Sequence, residues 1–238
     1  MQNISDMTTV ILAGGFGTRL QSVVSDRPKV LAEVSGKPFL TYLLEQLASV
    51  GLGEVIICVG YMAEKIQDCF GETYGPLHIS YSREYEPLST AGAVRLALPI
   101  LSSDAILVMN GDSYTDVDLS AYANWFFEKG CRAALLLIKA PDAARYGRVI
   151  LNEDEDIIAF KEKQLDSGAG WINAGIYLME RSLITSIPSG RPYSWEREFF
   201  PSLVGKGLFG FCTEGRFIDI GTPESYAEAE AFFYCKEY

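Results

Sequence analysis

A short segment near the start of the chain combines glycines with two cations in a spacing that could hold phosphate groups. A β-branched apolar run ends at Ala13, three glycines follow, and Arg19 and Lys29 lie further on. Glycines allow backbone N–H groups to approach a phosphate closely because no Cβ intervenes, and the two cations supply opposite charge. The residues of interest are Leu12, Ala13, Gly14, Gly15, Gly17, Thr18, Arg19 and Lys29. For the glycines alone, the alternative is a turn that merely joins a strand to a helix.

Two established phosphate-binding motifs do not fit this segment. The third glycine of the dinucleotide-binding fingerprint is missing from the run that follows Ala13. No Lys-Ser or Lys-Thr pair follows the glycines, as a P-loop would require. The segment therefore predicts a different way of binding phosphates.

A carboxylate follows a second apolar run. Asp112 comes directly after Gly111, at the end of a hydrophobic stretch that closes with Asn110. Mg²⁺ favours one or two carboxylates together with phosphate oxygens and waters, so Asp112 is a candidate ligand for the metal of a nucleoside triphosphate. The alternative is an aspartate that caps the turn before the next helix.

Polar residues also interrupt β patterns in the second half of the chain. Glu162 and Lys163 end one such pattern, where a solvated charge cluster is the alternative interpretation. Asn173 and Gly175 lie within an apolar strand, and a buried amide needs hydrogen-bond partners. A glycine inside a strand marks either the close approach of a ligand or a β-bulge, and the same choice applies to Gly147.

Apolar strands alternate with amphipathic helices through the first part of the chain. This pattern indicates an α/β fold of the Rossmann-like kind, with a mixed, mainly parallel sheet flanked by helices, in which ligands bind at the carboxyl ends of the strands. Strands are predicted at residues 8–13, 54–60, 79–81, 105–110 and 133–138. Helices are predicted at residues 39–50, 63–70, 90–98 and 119–129.

The rhythm changes after about residue 140. Short β patterns are predicted at residues 146–150, 157–161 and 171–179, and a closing helix at residues 223–237 with Pro223 in its first turn. Neither a low-complexity linker nor an internal repeat is visible. The chain of 238 residues is therefore expected to form a single domain, residues 1–238, that contains a small β-rich part.

Composition argues against several classes of partner. A net charge of −11 disfavours a nucleic-acid partner, and the sequence contains no apolar stretch long enough for a membrane span. Five scattered cysteines without a CxxC pair, together with a single histidine, disfavour a zinc site and favour reduced thiols in the cytoplasm. The expected partners are small molecules, and the expected assembly is a monomer or homodimer.

The glycine segment with its Pro28-Lys29 resembles the signature of the sugar-1-phosphate nucleotidyltransferases, and matching points continue to Gly221-Thr222-Pro223-Glu224. The resemblance implies a GT-A-like fold and an enzyme that joins a nucleoside triphosphate to a sugar 1-phosphate with release of pyrophosphate. It implies a nucleotide-binding half at about residues 1–140 and a sugar-binding half with a closing helix at about residues 141–238.

The resemblance also assigns roles to individual residues. It implies a Mg²⁺ site at Asp112 and Asp219, with Arg19, Lys29, Asp112 and Lys163 as the catalytic residues. A second segment resembles the one that borders the base and ribose, although Ser89 stands where glycine is common. This segment adds Glu86, Pro87, Thr90, Ala91 and Gly92 to the nucleotide-binding set. The implied sugar-binding residues are Gly147, Glu162, Lys163, Asn173 and Gly175.

Within that family, four short segments are most similar to the bacterial D-glycero-α-D-manno-heptose 1-phosphate guanylyltransferases, which make GDP-heptose for surface polysaccharides. They begin at Ser25, Gly36, Glu86 and Trp171. The expected substrates are therefore GTP and a manno-configured heptose phosphate. The alternatives are a mannose-1-phosphate guanylyltransferase, a UTP-dependent uridylyltransferase and, from a different class, a GT-A glycosyltransferase.

Overall fold

The computed structural model describes residues 4–141, 143, 146–161 and 168–234. The strands of this part are β1 (Thr8–Leu12), β2 (Glu33–Val34), β3 (Lys37–Pro38), β4 (Glu54–Val59), β5 (Thr73–Tyr74), β6 (Leu77–Arg83), β7 (Ala105–Asn110), β8 (Ser113–Thr115), β9 (Ala133–Ala140), β10 (Arg148–Leu151), β11 (Ile157–Lys161), β12 (Gly170–Glu180), β13 (Leu208–Thr213) and β14 (Phe217–Asp219). The α-helices are α1 (Phe39–Ser49), α2 (Ala63–Phe70), α3 (Ser89–Ala97), α4 (Leu119–Lys129), α5 (Arg181–Ile184), α6 (Phe200–Leu203) and α7 (Pro223–Tyr234).

The centre of the main sheet is parallel. Its strand order is β11-β10-β12-β7-β1-β4-β6-β5, and the four strands from β7 to β6 run in the same direction. All four therefore end at one edge, where the loops that follow them meet. This arrangement confirms the predicted mixed sheet with a parallel core.

Alternation along the parallel strands supplies two hydrophobic cores. Val10 and Ile56 face one side of the sheet and Ile11 and Ile57 face the other, as successive side chains of a strand must. Helices α1, α2, α4 and α7 cover the face of Ile11, while α3, α5 and α6 cover the face of Val10. Because both faces are covered, the central strands β1, β4 and β7 are buried along nearly their whole length, whereas β6, nearer the edge, alternates with polar residues.

Strand β12 joins the parallel core to the second half of the chain. It runs antiparallel to β7 on one side and to β9 on the other, and its first residues also reach β10. The pairing with β9 shifts register between Asn173 and Tyr177. Strand β13 extends the sheet beyond β9 in a parallel register.

The predicted elements agree with the structure in type, and they differ at their ends. The β pattern predicted from residue 146 begins at Arg148, because Tyr146 and Gly147 form a turn closed by N–H bonds to the carbonyl of Ala143. The closing helix is described as far as Tyr234, so the rest of its predicted length lies outside the described residues. The short pair β8–β14 was not predicted, since three-residue strands carry little periodic signal.

Among the described residues, no helix combines the length and apolar character needed to cross a bilayer.

The backbones that leave β1 and β7 approach each other so closely that Gly111 has no room for a side chain. A Cβ built on Gly111 would lie 2.6 Å from the carbonyl oxygen of Leu12 and 3.0 Å from Cγ1 of Val30. We expect Gly111→Ala to lower the free energy of unfolding by about 1–3 kcal/mol, as overpacking does. In a protein of this size, each kcal/mol lowers the thermal midpoint by about 2–4 °C.

The matched control is Gly53→Ala, because a Cβ there meets no heavy atom of the described chain within 4 Å. Its midpoint, measured by circular dichroism, should stay close to that of the wild type. Equal midpoints for both variants would contradict the close packing at Gly111.

Candidate active site

A cavity of about 290 Å³ opens at the edge where the parallel strands end. The loops that follow β1, β6 and β7 line it, together with the start of α3. Its residues are Leu12, Ala13, Gly14, Gly15, Phe16, Gly17, Lys29, Val30, Glu84, Pro87, Ser89, Thr90, Ala93, Asn110 and Asp112. The structure thus brings the predicted glycine segment, Lys29 and Asp112 to one site.

The glycine segment is shaped by contacts that a side chain would prevent. A Cβ on Gly14 would lie 2.5 Å from a carboxylate oxygen of Glu84. Gly17 has φ +61°, a conformation that side-chain-bearing residues rarely adopt. The N–H of Ala13 donates to the backbone carbonyl of Cys58 at 2.8 Å, which continues the pairing of β1 with β4. The segment is therefore a fixed backbone cradle rather than a loose connector.

Lys29 and Asp112 form an ion pair inside the cavity. Lys29 starts a short 3₁₀-helix (Lys29–Leu31) directly after Pro28, and its ammonium group donates to Oδ2 of Asp112. Their side chains are 16% and 33% exposed, so water screens this pair less than it screens a surface pair. At a cavity wall, an ammonium group is suited to bind phosphate, and a carboxylate beside it is suited to bind a cation.

The second predicted metal ligand, Asp219, lies beside the first. It ends β14, which pairs antiparallel with β8 so that Asp219 stands opposite Ser113. The N–H of Ile220 donates to the backbone carbonyl of Asp112 at 2.9 Å. Two residues separated by more than a hundred positions in sequence are therefore neighbours, Asp219 at the end of β14 and Asp112 directly before β8.

The donor set suits a hard divalent cation that also binds phosphates. Asp112 and Asp219 offer two carboxylates, which matches the one or two that Mg²⁺ takes in nucleotide sites. Among the described residues, no cluster of three or more His, Cys, Asp or Glu side chains could hold a metal by protein ligands alone. The remaining ligands of an ion at these carboxylates would come from phosphate oxygens and water.

The first residue of α3, which lines the cavity, has a strained backbone conformation. Ser89 has φ +60°, so this position does take the left-handed conformation in which glycine is less strained. Pro87 and Thr90 line the cavity as predicted. Ala91 and Gly92, also predicted to bind nucleotide, are instead buried in α3, and both of their N–H groups donate to the carbonyl of Tyr193.

Glu84 was missed by the reasoning from sequence. It follows β6 directly, and its carboxylate lies against the backbone of Gly14 and Gly60. Oε2 accepts a hydrogen bond from the N–H of Leu88 at 3.0 Å, and burial raises the pKa of the carboxyl above its usual value. The available signal was its position after a parallel strand, which is where sheets of this kind bind ligands.

Other predicted residues lie around the rim. Arg19 is exposed, and a Cβ built on Gly221 would be 3.8 Å from its Nη2, which places the guanidinium on the Asp219 side of the site. Thr18 is exposed on the turn that precedes Arg19. Glu86 is exposed and contributes to a smaller cavity on the outer side of Glu84.

The predicted sugar-binding residues of β12 lie next to the end of β7. Gly175 has φ +76°, and a Cβ there would be 2.7 Å from Nδ2 of Asn110. Oδ1 of Asn173 accepts from the N–H of Gly175 at 2.9 Å, and its Nδ2 donates to the hydroxyl of Tyr177 at 3.0 Å. The register shift of β12 and the close approach of the Gly175 backbone to the Asn110 side chain therefore occur at the same point.

Gly147 has φ +80° and lies just before β10. Its conformation is one that favours glycine, so the backbone alone accounts for the residue type at this position. Glu162 and Lys163 lie outside the described residues.

A larger cavity of about 630 Å³ lies at the opposite edge of the sheet, beside the start of β7 and the end of β12. Two of its charged groups, on Glu180 and Arg181, are already bonded within the protein. Arg181 donates to the carbonyl of Leu101 at 3.1 Å, and Glu180 pairs with Arg132 at 2.9 Å. The chemistry therefore concentrates in the smaller cavity.

Three comparisons with known proteins agree with this geometry. The family model described as nucleotidyl transferase matches residues 8–235. The D-glycero-alpha-D-manno-heptose 1-phosphate guanylyltransferase of Aneurinibacillus thermoaerophilus is 36% identical over 225 residues, covering 94% of this chain and 97% of that protein. The mannose-1-phosphate guanylyltransferase of Mycobacterium tuberculosis is 34% identical, covering 93% of this chain and 63% of that protein.

A solved structure is similar over the same length. The crystal structure of HddC from Yersinia pseudotuberculosis complexed with GMP-PN has a TM-score of 0.84 and 33% identity to this chain. The match covers 95% of this chain and 99% of that one.

The Lys29–Asp112 pair generates a prediction about charge. Lys29→Met should reduce turnover by roughly 100-fold or more, because removing a positioned group that stabilises developing charge typically has that effect. Lys29→Arg should restore only part of the activity, since a planar guanidinium does not replace a compact ammonium group. The measurement is the rate of pyrophosphate release.

Lys206→Met serves as the control, because its ammonium group donates to the carbonyl of Ser202 on the exposed surface. It should retain the wild-type rate. A wild-type kcat in Lys29→Met would make Lys29 a structural partner of Asp112 rather than a phosphate ligand.

Proposed function

The chain belongs to the nucleotidyl transferase family, and from that premise we propose that it transfers GMP from GTP to D-glycero-α-D-manno-heptose 1-phosphate. The products are GDP-heptose and pyrophosphate. Similarity to a heptose 1-phosphate guanylyltransferase over 94% of the chain supports the sugar, and Glu84 in the nucleotide cavity supports the base. We place the reaction in the cytoplasm, with small molecules as the partners.

The observation that carries the choice of base is the carboxylate of Glu84. An ionised carboxylate only accepts hydrogen bonds. Guanine presents two adjacent donors, N1–H and the 2-amino group, on its Watson–Crick edge. Uracil and thymine present a single N3–H between two carbonyl oxygens, and a carboxylate would repel those oxygens. A half-buried acid at the cavity wall therefore favours guanine.

The sugar assignment rests on similarity, and mannose 1-phosphate is the second candidate. The Mycobacterium tuberculosis relative carries the mannose name at 34% identity, close to the 36% of the heptose relative. Heptose differs from mannose by one additional hydroxymethyl group. A difference of that size is worth only about 1–3 kcal/mol in a binding pocket. We expect mannose 1-phosphate to be accepted more slowly than the heptose.

The attacking group need not come from the protein. A sugar phosphate has a second pKa of about 6, so at neutral pH it is mostly a dianion that requires no general base. One of its oxygens attacks the α-phosphorus of GTP in line, and pyrophosphate departs. The protein then contributes positioning and the neutralisation of crowded phosphate charge.

We assign the charged residues as follows. Lys29 exchanges Asp112 for the α-phosphate, Arg19 binds the departing pyrophosphate, and Lys163 holds the sugar phosphate. Asp112 and Asp219 would hold Mg²⁺, which when bound supplies positive charge between the reacting phosphates. The glycine cradle from Gly14 to Gly17 orients the triphosphate by its backbone N–H groups.

A GT-A glycosyltransferase is the candidate from a different class, because it also places an acidic metal site after a strand. It would transfer a sugar from a nucleotide sugar and release no pyrophosphate. The Lys29–Asp112 pair and the glycine cradle beside it favour nucleotidyl transfer, since both bind a triphosphate more readily than a nucleotide sugar.

One experiment tests substrate and reaction together. GTP, ATP, UTP and dTTP are each combined with heptose, mannose, glucose and muramate 1-phosphates, and pyrophosphate release is measured. We expect GTP with the heptose phosphate to be the fastest pair, followed by GTP with mannose 1-phosphate. If UTP or dTTP outruns GTP with every sugar, the guanylyl assignment is wrong.

Glu84 provides a sharper test of base selection. Glu84→Gln should lower kcat/KM for GTP by roughly 10- to 100-fold, the loss expected when a hydrogen bond to a charged group is weakened. ITP lacks the 2-amino group and should lose less. UTP should gain relative to GTP, because an amide offers both a donor and an acceptor to uracil.

Glu54→Gln is the matched control, since Glu54 is exposed at the beginning of β4, the edge of the sheet away from the cavity. It should leave the ratio of GTP to UTP unchanged. An unchanged ratio in Glu84→Gln as well would refute base reading by Glu84.

A further inference from the structure

A tyrosine hydroxyl contacts the second carboxylate of the site. Oη of Tyr146 donates to Oδ2 of Asp219 at 2.6 Å, although the two residues are 73 positions apart. A donor at this distance from an ionised acceptor makes a charge-assisted hydrogen bond, which is shorter and stronger than a neutral one. The contact is therefore a defined link between two chain segments.

The other oxygen of the same carboxylate is also held. Oδ1 of Asp219 accepts from the N–H of Gly221 at 2.8 Å, and Oγ of Ser225 lies 3.3 Å from the same oxygen and 3.3 Å from the carbonyl oxygen of Thr222. Donors on both oxygens fix the rotation of the carboxylate about its Cβ–Cγ bond. Because each carboxylate oxygen carries two lone pairs, this arrangement is compatible with a cation on the same group.

Packing holds the tyrosine where its hydroxyl must be. Its ring stands edge-on to Phe217, with centroids 5.5 Å apart and planes at 82°. Phe217 begins β14, the strand that Asp219 ends, so ring and hydroxyl contact the same short strand. The N–H of Tyr146 donates to the carbonyl of Ala143 at 3.1 Å, which anchors its backbone as well.

We propose that Tyr146 is a positioning residue for the metal site, and that its hydroxyl, together with that of Ser225, sets the orientation in which Asp219 presents its carboxylate toward Asp112. This inference rests on the proposed function, since it assumes a cation at the two carboxylates. Partners of this kind, one shell out from a metal, typically contribute 10- to 100-fold to its affinity.

The position of Tyr146 also connects the metal site to the sugar side. Gly147 follows it, and β10 begins one residue later and pairs with β11, with Arg148 opposite Lys161. Strand β11 ends immediately before Glu162 and Lys163. The same turn thus contacts Asp219 through Tyr146 and leads into the β10–β11 hairpin.

The test is Tyr146→Phe, which removes the hydroxyl and keeps the ring against Phe217. Binding of Mn²⁺ is followed by electron paramagnetic resonance on the full chain saturated with guanosine 5′-(α,β-methylene)triphosphate. We expect Mn²⁺ affinity to fall about 10-fold or more. Affinity for the nucleotide analogue in EDTA should not change, which a general loss of structure would not allow.

Two further variants complete the test. Tyr81→Phe is the matched control. Tyr81 lies on β6, and its hydroxyl also donates at 2.6 Å, to the carbonyl of Gly71 at the end of α2, away from the cavity. It should leave Mn²⁺ affinity unchanged. Ser225→Ala removes the hydroxyl beside the opposite oxygen, leaves the N–H of Gly221 there, and should weaken Mn²⁺ binding in the same direction, so the proposal stays testable if Tyr146→Phe does not fold.

Activity supplies an independent measurement. In Tyr146→Phe, the Mg²⁺ concentration for half-maximal pyrophosphate release should rise by the same factor, while kcat at saturating Mg²⁺ is largely retained. Wild-type Mn²⁺ affinity in both Tyr146→Phe and Ser225→Ala would overturn the positioning role. A wild-type chain that binds no Mn²⁺ would overturn the metal assignment itself, and the substrate matrix would still decide GMP transfer separately.

Discussion

The geometry of the site depends on the contact between the backbones that leave β1 and β7. The N–H of Gly111 donates to the carbonyl of Leu12 at 2.9 Å, and that approach leaves no space for a Cβ. Beyond this contact, the segment after β1 forms the glycine cradle and the segment after β7 leads to Asp112. The glycine backbone proposed to bind phosphates and the aspartate proposed to bind the metal are thereby held relative to each other by main-chain atoms, whose positions depend little on side-chain rotamers. Catalysis by positioning needs that kind of rigidity.

Asp112 and Asp219 both have hydrogen-bond donors before any substrate binds. The ammonium group of Lys29 faces Asp112, and the carboxylate of Asp219 accepts from Tyr146, so neither acid is left without a donor. An unpaired buried charge would be costly. In the proposed reaction Lys29 gains a phosphate as it leaves Asp112, so its charge stays compensated. A chain of net charge −11 can bind anionic substrates this way, because charges beyond a Debye length of about 8 Å are screened.

Local patterns predicted the first half of the site better than the second. The glycines directly follow β1 and Asp112 lies two residues after β7, so apolar runs and the ends of parallel strands were enough to place them. Asp219 depends on β14, three residues long, and only the resemblance to a family identified it. The motif after Ser89 did not reveal that Gly92 is buried in α3, where a Cβ would lie 3.1 Å from the carbonyl oxygen of Arg191. Contacts between distant segments leave no periodic signal in the sequence.

The proposed sites for the base and for the sugar select their ligands by different physical means. In the proposed reaction the base faces Glu84 at the end of a parallel strand, where the wrong edge would turn a carbonyl oxygen toward a half-buried carboxylate. Such mismatches are penalised heavily, whereas one additional hydroxymethyl group on a sugar is worth only about 1–3 kcal/mol. The proposed sugar side comprises β10 and the bulged part of β12, around Gly147 and Gly175. Selectivity for the base should therefore be sharper than selectivity for the sugar, and the Tyr146–Asp219 bond is where the two parts meet.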